Sequence, residues 1–159
     1  MLRSFVERKD VFLSWSLIIA NHFLIALALS FNEHYNMREN MIYLSGISLA
    51  GAFGYLLLYL LKKKESNFDL VQFQGHAYEH PRLALLFLLS ALGLSGFPIS
   101  PTFIGEDFIF SHILQDQLLL AFFVAMSFIL NGLSLIRIYA RLCLGPHQKA
   151  YHEIPYKSS

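Results

Sequence analysis

The chain has 159 residues, 55% of them hydrophobic and only 14% charged, with a formal net charge of +1. Low hydrophobicity with high net charge, the mark of a disordered chain, is missing, and twelve Lys and Arg against eleven Asp and Glu leave no basic face for nucleic acid. With Cys143 alone a disulfide-stapled module is excluded, and what remains is an all-α, polytopic helical membrane protein whose solvent is the lipid bilayer.

The apolar residues gather into four stretches of about the 20 residues that a bilayer crossing needs. Together they leave no room for a soluble domain, so residues 1–159 read as a single transmembrane domain. The first stretch, 11–31, is free of charge. A basic start (Arg3, Arg8, Lys9) and Ala26-Leu27-Ala28 resemble a signal peptide. Its length, the Asn21-His22 pair inside it and the diluting Glu7 and Asp10 speak against cleavage. Ser14 and Asn21 share one face seven residues apart, with His22 beside them. A histidine within a span is a functional candidate, and equally a hydrogen-bonding partner for a neighbouring helix; the sequence leaves both open.

The second stretch, 41–61, carries Gly46, Ala50 and Gly54 at four-residue intervals, a small-residue stripe that admits close helix packing. Between it and the third lies His76-Ala-Tyr-Glu79-His80, which fits the H-x-x-E-H pattern of inverted zincins. Pro81 biases His80 away from helical geometry, and no third ligand is apparent. An interfacial anchor is therefore expected here, with no metal site.

The third stretch, 83–105, starts as a clean helix and then meets Gly93, Gly96, Pro98 and Pro101 within nine residues. Two prolines three apart cannot both keep helical hydrogen bonds, so a break at Gly-Phe-Pro-Ile-Ser-Pro is predicted, with helix continuing beyond it to 113. Glu106 and Asp107 stand just past the break. Broken backbone at membrane depth survives only inside protein or beside water, and discontinuous helices with ionisable groups at the break are how transporters build ion sites. An ordinary turn outside the membrane, with Glu106 and Asp107 favoured by a helix dipole, fits the spacing as well.

The fourth stretch, 118–144, sets Ser127, Asn131, Ser134 and Arg141 within an arc of roughly 80°, with Arg137 at its edge. With Glu106 this stripe offers a hydrated proton or ion path; interhelical hydrogen bonds and snorkelling arginines explain it equally. Lys and Arg number 3, 1, 4, 0 and 4 along the successive loops and ends, the alternation of four spans with both termini cytoplasmic. There is no P-loop, no G-x-G-x-x-G and no haem or iron–sulfur ligand set, so no redox cofactor is expected.

The run Gly93-Leu-Ser-Gly-Phe-Pro-Ile-Ser-Pro-Thr-Phe-Ile-Gly-Glu106 resembles the broken late helix of the antiporter-like, proton-conducting membrane subunits. These belong to respiratory NADH:quinone oxidoreductase, multisubunit Na⁺/H⁺ antiporters and inorganic-carbon uptake systems. Asn131-Gly-Leu-Ser-Leu-Ile-Arg137-Ile-Tyr-Ala-Arg141-Leu-Cys-Leu-Gly145-Pro146 is similar to the helix that follows it. The resemblance, carried by 83–146, implies that Glu106 holds the position of a Lys or Glu central to proton transfer. Asp107 would then be a helper or interfacial charge, and Asn131 and Arg137 would help line the route, with His22 as a further candidate.

It also implies a C-terminal portion of the family's core. Such a portion would need a larger antiporter-like membrane subunit, with a hydrophilic redox or carbonic-anhydrase-like subunit, in a bacterial inner membrane. The alternative expectation is a structural subunit that stabilises a larger assembly without an ion path of its own.

Overall fold

In lipid every backbone N–H and C=O must be satisfied within its own segment, so apolar stretches of this length become helices. The computed structural model describes residues 2–31, 36–65, 68–113 and 117–146, and among these every regular element is helical. A short α1 (Leu2–Val6) leads into α2 (Val11–Leu29) and α3 (Met37–Lys64); α4 (Pro81–Leu94), α5 (Pro101–His112) and α6 (Leu118–Cys143) follow. The starts are built from side chains that satisfy orphan N–H groups. Asp10 accepts from the Leu13 N–H at 3.0 Å, Asn36 from Arg38 at 3.1 Å and Ser100 from Phe103 at 3.2 Å.

Among the described residues three helices are long and apolar enough to cross a membrane: Val11–Ser30, Met37–Lys64 and Leu118–Cys143. Leu24, Leu27, Leu49, Leu56, Phe122, Phe123 and Ile136 are exposed on them, a distribution suited to lipid. The protein is a multi-pass membrane protein. The third apolar stretch is divided as its prolines predict, into α4 and α5 of 14 and 12 residues. At 1.5 Å per residue these are about 21 Å and 18 Å long, each short of the roughly 30 Å hydrocarbon core.

The helix α3 organises the bundle, packing most extensively against α5 and α4 and then α2. Its small-residue stripe makes those approaches possible. A side chain at Gly46 would strike Pro101 and Thr102 of α5, one at Gly54 would strike Trp15 and Ser90, and Ala50 lies against Gly93. The Trp15 indole donates to the Gly51 carbonyl at 3.0 Å, and the Ser90 hydroxyl to that of Ala50 at 2.7 Å. Around these contacts Trp15, Ile18, Tyr43, Ile47, Leu58, Leu94 and Leu135 form the core.

One end of the bundle collects its basic segments. The Leu70 N–H donates to the Arg8 carbonyl at 2.8 Å, Arg137 to that of Glu7 at 2.8 Å and Arg141 to that of Val71 at 3.1 Å. A helix leaves its last carbonyls unpaired. Here the loop after α3 supplies donors for them in register: Gln74, Gly75, His76 and Ala77 donate to Arg141, Leu144, Leu142 and Cys143.

Candidate functional site

The site begins with the break. The helix α4 ends as the Ser95 N–H donates to Ala91 and that of Phe97 to Leu92. Gly96 then turns at φ 72°, a conformation that costs L side chains roughly 1–2 kcal/mol. Pro101, whose missing N–H costs nothing at the first helical position, restarts the helix. A Cβ on Gly96 would overlap the Glu106 carboxylate. The glycine therefore does two things: it turns the chain and leaves space for the acidic group one helix later.

Contacts with α3 set the depth of this arrangement. Ser90 and Gly93, just before the break, meet Ala50; Pro101 and Thr102, just after it, meet Gly46; Gly105 meets Tyr43. Ala50 lies 13 residues from Met37 and 14 from Lys64, the middle of α3. The break is thus beside the centre of the longest helix, not at its end, and α4 and α5 run past α3 in the same direction. A turn beyond the end of the bundle does not describe this geometry.

The same level of the bundle holds two of the other expected residues. His22 is buried, its Nδ1 2.8 Å from the Tyr43 hydroxyl. Its ring stacks on Phe128 at 6.1 Å, and Phe128 meets Phe110 of α5 edge-on at 5.8 Å. The Asn21 amide donates to Asn131 Oδ1 at 3.1 Å. His22 and Asn131, on α2 and α6, therefore share a layer with Tyr43 on α3 and with α5 around Gly105 and Phe110.

This layer is under-satisfied. His22 Nε2, Asn131 Nδ2, Asn40 Oδ1 and Thr102 Oγ1 are buried without a hydrogen-bond partner among the described residues. Buried polar atoms almost always have a partner, often an ordered water. Whichever of His22 Nδ1 and the Tyr43 hydroxyl donates to the other, Nε2 is left as an orphaned donor or acceptor facing the layer. No hydrogen bond or ion pair joins Glu106 to another described residue either; its half-buried carboxylate rests against Gly96.

The remaining two expected residues lie elsewhere. Asp107 is exposed on α5. Arg137 is at the basic end, donating to the Glu7 carbonyl and lying 5.4 Å over the Phe5 ring, about 9 Å along α6 from Asn131. Beside it, the backbone N–H groups of Lys9, Asp10 and Arg8 donate to the Glu7 carboxylate and hold its pKa below the usual range. The His76–His80 segment is a turn and not a helix, so the zincin geometry is not formed. Tyr43, Thr102 and Asn40 join the site without having been expected. The signal for Tyr43 was a polar-tipped aromatic one turn inside an apolar stretch; Thr102 is marked only by its place between Pro101 and Glu106.

A broken helix beside the middle of a spanning one, a half-buried carboxylate against the break and an under-satisfied polar layer together describe a multi-pass helical membrane protein with a polar interior. The comparisons with known proteins agree. A family described as "NADH:quinone oxidoreductase/Mrp antiporter, TM" matches residues 18–133, and the chain belongs to that family. The match begins in α2, well before the motifs around the break, and ends short of Arg137.

Among relatives, NADH-ubiquinone oxidoreductase chain 4 of Dictyostelium citrinum is 37% identical over 62 residues, 39% of this chain and 15% of that one. NADH-quinone oxidoreductase subunit N of Flavobacterium johnsoniae is 27% identical over 113 residues, 71% of this chain and 24% of that one. Subunit M of the Rickettsia bellii enzyme is 26% identical over 91 residues, 57% and 18%. The chain thus spans a quarter or less of the relatives it matches. No solved structure matches it significantly.

Proposed function

We propose that this chain supplies part of the proton conduit of an antiporter-like membrane complex, and that Glu106 exchanges a proton between two hydrated half-channels. The observation that carries this is the Glu106 carboxylate, held against Gly96 inside a helix break beside the centre of α3. A carboxyl group there has burial favouring its neutral form and water or a nearby cation favouring its charged form, the competition that sets a transferable proton. The paired helices α4 and α5 form the broken crossing. Asn131 and His22 contribute the orphaned polar atoms Nδ2 and Nε2 to a hydrated route, Arg137 sits toward its basic mouth, and exposed Asp107 is an interfacial charge.

The basic end faces the cytoplasm by the positive-inside rule, so both termini are cytoplasmic, in a bacterial inner membrane. The working partner is a larger antiporter-like membrane subunit that shields the polar break from lipid. A hydrophilic redox or carbonic-anhydrase-like subunit supplies the energy.

Glu106→Gln tests the reading. It removes the titrating group while keeping its shape, and coupled proton movement is expected to be abolished with assembly intact; full retained activity overturns the assignment. Mild-detergent extraction with identification of co-purifying proteins tests the partner. The structural-subunit alternative expects bulky replacements at Gly46, Ala50 or Gly54 to disrupt assembly while Glu106→Gln is silent; these small residues pack against α2, α4 and α5 of the same chain, so the silence of Glu106→Gln is its deciding outcome.

A further inference from the structure

Glu65, where α3 ends, is buried although three exposed lysines precede it. Two imidazoles from the following loop converge on its carboxylate: His80 Nε2 is 2.9 Å from Oε1, and His76 Nδ1 is 3.9 Å from Oε2. Glu79 completes the cluster, one ligand atom each of Glu65, Glu79 and His80 lying within 4.8 Å of the others. Three of these residues belong to the H-x-x-E-H sequence. The further ligand that the sequence did not reveal comes from the end of another helix, eleven residues before His76.

We propose that Glu65, Glu79 and His80, with His76 as fourth donor, bind a divalent transition cation of the Zn²⁺ class. Two nitrogens and two carboxylate oxygens are a donor set that zinc accepts. Metal–ligand bonds of about 2.0–2.2 Å place tetrahedral donors roughly 3.3–3.5 Å apart, so Glu65, Glu79 and His80 close on an ion with side-chain movements of about 1–1.5 Å, and His76, 3.9 Å from Glu65, turns in as the fourth. Two carboxylates and two neutral imidazoles balance a divalent charge, which relieves the cost of keeping Glu65 out of water. Lys62, Lys63, Lys64 and Arg82 are exposed, where solvent screens their repulsion.

Four protein donors leave no open coordination position for a substrate, so the site is structural. Its place explains its use. The loop segment 74–77 caps the last carbonyls of α6, and a cation held by Glu65 and this loop fastens the end of α3 to the end of α6. The site lies apart from Glu106 and does not depend on the proton-path reading.

The test uses the detergent-purified protein with whatever partners accompany it, stripped by chelator and dialysed against Zn²⁺ or Co²⁺. One equivalent of Zn²⁺ per chain is expected at low micromolar concentration, with the visible absorption of four-coordinate Co²⁺. Glu65→Gln and His80→Gln each lower the affinity at least tenfold, while Lys62→Gln leaves it unchanged. Should the variants fail to fold, the unmodified protein decides: Zn²⁺ raises its thermal midpoint and chelator reverses the rise. No retained equivalent, or a midpoint indifferent to Zn²⁺ and chelator, overturns the proposal and leaves a Glu65–His80 hydrogen bond.

Discussion

The basic end of α6 and its middle are polar in opposite ways. At the basic end the polar groups are matched: Arg137 and Arg141 donate to backbone carbonyls, and residues 74–77 cap the helix in register. Around Asn131, His22, Asn40 and Thr102, buried polar atoms lack partners among the described residues, and Glu106 rests against a glycine. A matched network adds rigidity, whereas a half-matched one costs stability and is kept where something else is gained. The contrast separates arginines that hold the bundle from the layer to which the proposed proton path is assigned.

The comparison can be broken most forcefully in the packing that both regions share. Gly54→Leu drives a side chain into Trp15 and Ser90 and is expected to cost about 3 kcal/mol or prevent folding, read as lost yield and a lowered thermal midpoint in detergent. Gly96→Ala acts in the break alone. Overlap with Glu106 and the positive φ together cost about 2 kcal/mol. Adding Glu106→Ala recovers only the steric share, since the φ penalty stays.

Smaller changes sharpen the contrast between the two regions. Arg141→Ala removes a hydrogen bond to Val71 and a guanidinium 4.4 Å over Phe73, for a loss of about 1 kcal/mol in thermal unfolding. Asn131→Leu gives up one hydrogen bond but also removes an orphaned donor, so its stability stays within about 1 kcal/mol of the parent while proton flux in reconstituted vesicles falls. Equal stability losses with equal flux from both variants would erase the distinction. The smallest effect is expected at Ile99, 94% exposed at φ 92°. Ile99→Gly relieves a left-handed β-branched residue, and after the entropy that glycine loses on folding it stabilises by about 0.5 kcal/mol.

Much of this was legible in the chain. Length, apolar runs and the Pro-Ile-Ser-Pro interruption determine an all-helical membrane protein with a broken helix, because hydrophobic length and the missing proline N–H act locally. The motif around Glu106 marked the family, and Glu106, His22 and Asn131 were visible as polar residues in apolar surroundings. Their common level was not, since it depends on which turn of α3 each helix meets. That register is set by Gly46 against Thr102, Gly105 against Tyr43 and Ser90 against Ala50.

The same holds for the pairing of Glu65 with the His76–His80 loop and for the space that Gly96 leaves to Glu106. Sequence alone determined which segments are apolar, where helix must stop and which side chains can titrate. Only the tertiary structure decided that the break lies beside the middle of α3 and which polar atoms go without partners. Those facts arise from contacts between residues distant in the chain, and close packing of small residues, not local propensity, selects them.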